Sequence, residues 1–62
     1  MQTMRQTQAD NETFYVSEDY SLQIYESSTG DYVLTDADGS VIDSNPSLEV
    51  LAYTNDLQIQ YR

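Results

Sequence analysis

The sequence predicts an α+β fold: a small antiparallel sheet of about four to five strands in a meander, with one short C-terminal helix packed on it. Three observations predict it. Strand-forming residues alternate with polar ones from Thr13 to Thr35, the period of a half-buried sheet. Glycine-bearing polar clusters at Ser27–Gly30 and Asp36–Gly39 punctuate that stretch and its continuation at hairpin spacing. After Pro46, Leu48, Leu51 and Ala52 recur at helical rather than strand spacing.

Taken in order, residues 1–11 contain only Met1, Met4 and Ala9 as apolar groups, too few to anchor a helix on a core, and read as a flexible N-terminal tail. Residues 12–62 then form one small domain. Asn11-Glu12-Thr13 matches the glycosylation triplet, but nothing like a secretory signal accompanies it. Phe14 and Val16 mark a first short strand. In the second, Tyr20, Leu22 and Ile24 share one face while Ser21, Gln23 and Tyr25 take the other. Ser27-Ser28-Thr29-Gly30 is a turn whose glycine is free to adopt positive φ, and Asp31–Thr35 returns as a third strand. Val41 and Ile42 mark a short fourth. Ser44-Asn45-Pro46-Ser47 breaks the sheet: either Asn45 caps a helix with Pro46 in its first turn, or Ser47 caps one starting at Leu48. Both place Glu49 near the positive end of the helix dipole. The helix spans about Pro46 to Asn55, too short to stand alone in water, so it must pack on the sheet. Leu57, Ile59 and Tyr61 alternate with Gln58 and Gln60 and read as a last strand ending at Arg62.

A chain of 62 residues buries only about 60% of its unfolded surface, so its core is thin. With no cysteine, disulfides and thiolate metal sites are excluded, and a homodimer is one way to gain support. No apolar run reaches the ~20 residues of a membrane helix, and a soluble, cytoplasmic protein is expected, in the host cytoplasm if the gene is viral.

Charge carries the functional reading. Eleven Asp and Glu stand against Arg5 and Arg62, with no Lys or His, for a formal charge of −9. Such a chain repels nucleic acid and anionic membranes and is drawn to basic surfaces.

Chemistry other than binding finds little footing. Thr35–Asp43, TDADGSVID, resembles a calcium loop if Gly39 is its sixth position, which puts Asp36 and Asp38 at the third and fifth. Leu34 and Asn45 then fall where an Asp and a bidentate Glu belong. A hairpin turn accounts for the same residues: Asp36 accepts backbone N–H groups, Asp38 tolerates the bend and Gly39 takes the left-handed position. No metal or other cofactor is expected. Catalysis by paired carboxylates needs a cleft that a thin core hardly provides. Ser and Thr nucleophiles have no His or Lys to activate them. The tyrosines lack the basic groove of a single-strand binder. The chain is therefore read as not an enzyme.

In a meander, the first and third turns fall at one end of the sheet. Glu18 and Asp19 would then lie within roughly 10 Å of Asp36 and Asp38, two strand spacings away. Glu26, Asp31 and Asp43 would gather at the opposite end. Such anions mimic phosphates, and exposed Tyr25 adds an aromatic anchor of the kind interfaces favour. In size, charge and composition the chain resembles, as a class, virus-encoded inhibitors of restriction and CRISPR enzymes. The expectation is a small acidic interaction module that occupies the basic surface of a nucleic-acid-binding protein or complex. The alternatives are a salt-adapted structural or regulatory domain that self-associates, and an antitoxin-like partner of a basic protein.

Overall fold

The structure, a computed structural model, describes residues 1–61. Over these residues the chain forms β1 (Gln2–Ala9), β2 (Glu12–Ser17), β3 (Leu22–Glu26), β4 (Tyr32–Asp36), β5 (Val41–Asn45), α1 (Leu48–Thr54) and β6 (Leu57–Gln60). The fold is α+β, with a six-stranded sheet in the order β5-β4-β3-β2-β1-β6. The first five strands make an antiparallel meander, and β6 returns to pair in parallel with β1. The sheet is thus mixed, and larger than the four to five antiparallel strands expected.

The sixth strand comes from the segment read as a tail. Gln2–Ala9 sits between β2 and β6, paired on both sides, and Met4 is wholly buried. Its pattern was concealed because Met4 is the only apolar residue on the inward row that it shares with Gln2, Gln6 and Gln8. A central strand with polar inward neighbours leaves no hydrophobic alternation to detect. Asp10 and Asn11, at φ 54° and 67°, close the β1–β2 hairpin in the two-residue geometry that requires positive φ at both central positions. Asp and Asn are the non-glycine residues that enter that region most readily.

Other boundaries move for local reasons. Tyr20, expected in the second strand, has φ 60° and lies in the turn before β3. Its backbone N–H donates to the Ser17 carbonyl at 3.0 Å, which ends β2 in a tight reversal. The next two turns share one hydrogen-bond pattern. Gly30 N–H reaches Ser27 O and Gly39 N–H reaches Asp36 O, each at 3.0 Å, with φ 90° and 84° at the two glycines, as their turn roles require. In β5 the register slips between Leu34↔Asp43 and Thr35↔Val41, leaving Ile42 as the extra residue of a bulge.

Ser47, rather than Asn45, caps the helix. Its Oγ accepts the Val50 N–H at 3.4 Å, while Asn45 Oδ1 accepts the Ser47 N–H and shapes the approach. Helix α1 is accordingly narrower than the expected Pro46–Asn55. Likewise β6 ends at Gln60 instead of continuing to Arg62, which lies outside the described residues.

Helix α1 packs against β6, β5 and β4. Since β5 and β6 are opposite edges of the sheet, a flat array would hold them five spacings, or about 24 Å, apart. One helix about 10 Å across cannot touch both edges of such an array. The sheet is therefore curled around α1, consistent with overall extents of 27 × 23 × 20 Å. Its concave face supplies Met4, Tyr15, Ile24, Leu34 and Leu57 to the core, and α1 supplies Leu48, Leu51 and Ala52. Leu51 is completely buried. Phe14 and Val16 belong to the convex face, because their neighbour Tyr15 takes the inward position opposite Ile24.

Two changes at β1 follow from this arrangement. Met4→Ala should destabilise the protein by about 2–5 kcal/mol in urea unfolding, the range for emptying a fully packed site. A chain without residues 1–9 should lose cooperative unfolding. A dispensable tail would leave both measurements unchanged.

Candidate functional site

The register assigns the carboxylates to two rims of the curled sheet. Leu22 stands opposite Asp36, which brings the β2–β3 turn beside the β4–β5 turn, and Met4 stands opposite both Ser17 and Ile59, which adds the start of β6. This near rim gathers Glu18, Asp19, Asp36 and Asp38, as the meander implied, together with Asp56. The far rim carries the β1–β2 and β3–β4 turns and the start of α1, with Asp10, Glu12, Glu26, Asp31 and Glu49. Among the described residues the one ion pair joins the Met1 amino group to Asp56 at 3.8 Å, in the open. An exposed pair of that kind is screened and weak.

Asp43 does not join either rim. It lies opposite Leu34 within β5, half-buried, and its Oδ2 accepts a hydrogen bond from Asn55 Nδ2 at 3.0 Å. The same Asn55 amide donates to Leu51 O at 2.9 Å, so Asp43 fastens the C-terminal end of the helix to the edge strand. The Ile42 bulge sets its face: an unbroken Thr35↔Val41 register would put Asp43 opposite Val33, and the extra residue puts it opposite Leu34, on the core face.

Near-rim carboxylates divide between shaping the turns and presenting charge. Asp36 Oδ1 accepts the Asp38 and Ser40 N–H groups, both at 2.9 Å, the turn role that its sequence suggests. Asp19 Oδ1 accepts from Ser21 Oγ at 2.7 Å, Ser17 Oγ at 2.9 Å and Ser21 N–H at 3.1 Å. Ser17 Oγ, buried, in turn accepts the Leu22 N–H at 3.0 Å. The Asp19 carboxyl is held below its ordinary value by these bonds, those from Ser21 first and Ser17 next. Glu18 and Asp38 are exposed, and among the described residues the Glu18 side chain makes no hydrogen bond or ion pair. These two side chains are freest to meet a partner.

The far rim has more relief. The β1–β2 ladder runs out to Ala9↔Glu12, whereas the β2–β3 ladder stops at Phe14↔Tyr25. Beyond that last pair β2 and β3 are no longer hydrogen-bonded. An open cleft of ≈620 Å³ lies there, with Phe14 and Tyr25, directly opposite in register, among its lining residues. Asp10, Glu12 and Glu26 also line it. Tyr25 is 40% exposed. The sequence pointed to Tyr25 and Glu26 but not to Asp10, Glu12 and Phe14, because residues 1–11, the first arm and turn of the hairpin, read as a tail and left Glu12 and Phe14 without their neighbours in the sheet. The signal available was Asp10-Asn11, a pair suited to a two-residue turn.

Across the described residues, then, the geometry offers exposed anions at two rims and an aromatic cleft at one. No protein-family model, curated protein or solved structure matches the chain. No helix among the described residues is long and apolar enough to cross a membrane.

A pH dependence follows from Asp19. Its folded pKa is depressed, so the stability it confers is present above its ordinary value of 3.8 and is lost as pH falls through the lowered value. Asp19→Asn should therefore be less stable than the parent at about pH 6, with the difference shrinking toward about pH 2.5. Chemical unfolding of both proteins across that interval measures it, and a constant difference would assign Asp19 no linked proton.

Proposed function

We propose that this chain is a small acidic protein–protein interaction module that occupies the basic surface of a nucleic-acid-binding protein or complex, taking the place of the nucleic acid. The observation that supports this reading is the gathering of carboxylates at the rims of the sheet, with Glu18 and Asp38 exposed and, among the described residues, without a basic side chain paired to them. Carboxylates held on alternate turns of one rim, two strand spacings or about 10 Å apart, offer a basic groove the kind of anion row that a phosphate backbone does. The fold contributes rigidity, because Asp19 and Asp36 brace the turns that carry their charged neighbours. Less ordering entropy is then lost on binding than with a flexible acidic tail.

A second reading, assembly with a like subunit in concentrated salt, draws on exposed Val41 and Ile42 along edge strand β5 and on exposed Val50 and Tyr53 of α1. Light scattering and thermal melts with and without molar KCl separate the two. A chain that folds and dimerises only in salt favours assembly.

The test of mimicry begins with capture of the partner from the native host, followed by competition between this protein and the partner's nucleic acid. Glu18→Lys with Asp38→Lys should weaken binding by an order of magnitude or more, since each reversal turns an attraction into a repulsion. Asp36 is left intact because its carboxylate holds the turn. Parent affinity should fall roughly tenfold or more between about 0.05 and about 0.3 M salt. A partner that binds this protein and its nucleic acid simultaneously would remove the reading.

A further inference from the structure

We infer that the cleft between the β1–β2 hairpin tip and the end of β3 is a receptor for an arginine side chain presented by a basic protein partner. This inference rests on the reading of the chain as an acidic module and identifies the contact that would anchor it. The cleft opens where the β2–β3 ladder ends. Its lining residues include the aromatic Phe14 and Tyr25 and the acidic Asp10, Glu12 and Glu26. Phe14 is half-buried and Tyr25 is 40% exposed.

Among the described residues the one aromatic ring pair is Tyr15 with Tyr61, 6.5 Å apart at 87°. Among the described residues neither Phe14 nor Tyr25 has a ring partner. Arg5, the sole arginine among them, is not in the lining. Across the described residues the cleft thus has aromatic and acidic lining residues and no cationic one.

Guanidinium meets these demands better than other groups. It is planar and stacks on aromatic faces, and its forked N–H donors satisfy carboxylates at the same time. An ammonium is more strongly hydrated and presents a point charge without the fork. At ≈620 Å³ the space is large for a bare metal ion and within the range that accepts an organic side chain. A second copy of this chain is a poor occupant, since two molecules of charge −9 repel. Nucleic acid is repelled in the same way. A basic protein satisfies both the charge and the shape.

Amide chemical-shift mapping of the intact chain with an amidated tri-arginine peptide tests the inference, with tri-lysine as its comparison. Tri-arginine should shift resonances of residues 9–14 and 23–27 first, and should bind about 3- to 10-fold more tightly than tri-lysine, the scale of a cation–aromatic contact. Tyr25→Leu keeps apolar bulk without the ring, while the Glu12→Gln, Glu26→Gln double variant keeps shape without charge. Each should weaken tri-arginine by a similar factor while leaving the amide spectrum otherwise folded. Equal affinity for the two peptides, shifts centred on the β2–β3 and β4–β5 turns, or variants that bind as the parent does would overturn it. The outcome is separable from that for mimicry. A partner that competes with nucleic acid yet binds Tyr25→Leu unchanged removes the cleft alone. An arginine-selective cleft on a chain whose partner does not compete removes mimicry alone.

Discussion

The pairing of Gln2–Arg5 with Leu57–Gln60 is the constraint on which the rest of this structure depends. Without it, β1 is the edge of an open meander and the last strand has no neighbour. With it, the chain leaving β5 must cross to the far side of the sheet, and α1 is the crossing. A helix of seven residues is not stable by itself in water. Here it is held because the sheet curls until both edges reach it, and that curl in turn gives Met4, Ile24, Leu34 and Leu51 their complete or nearly complete burial.

One consequence is a division of labour between the interior and the rims. The thin core consumes the few large apolar side chains, so the turns are left to polar residues. Most of the charge consequently lies where strands end rather than along their faces. Several of these anions serve the fold before they serve any partner: Asp19 and Asp36 hold turns, and Asp43 holds the helix end through Asn55. The functional reading is sharper for this. It moves weight from turn-bracing Asp19 and Asp36 to Glu18 and Asp38, and from Asp43 to the hairpin tip that lines one cleft with Phe14 and Tyr25.

How far the sequence could be read depended on the range of the signal. The turns at Ser27–Gly30 and Asp36–Gly39 were legible because their glycines and local acceptors act within four residues. Helix α1 was legible through Leu48, Leu51 and Ala52, whose spacing reflects a buried stripe. By contrast β1 was not, since one inward methionine among glutamines carries no periodic signature. Its strand character depends on partners more than fifty residues away in β6 as well as on adjacent β2. The Ile42 bulge was equally hidden, because register is a property of two strands and not of one.

Composition and local pattern by themselves determined the α+β class, the consecutive hairpins from β2 to β5, the capped helix and an overwhelming negative charge. These rest on backbone preferences and on counting. The tertiary structure alone decided that residues 2–9 belong inside the sheet, that Asp43 faces the helix end, and that a hairpin tip shares a cleft with Phe14 and Tyr25. Each of these depends on which distant segments touch, and such contacts are set by the joint burial of side chains from across the chain rather than by any one stretch of it.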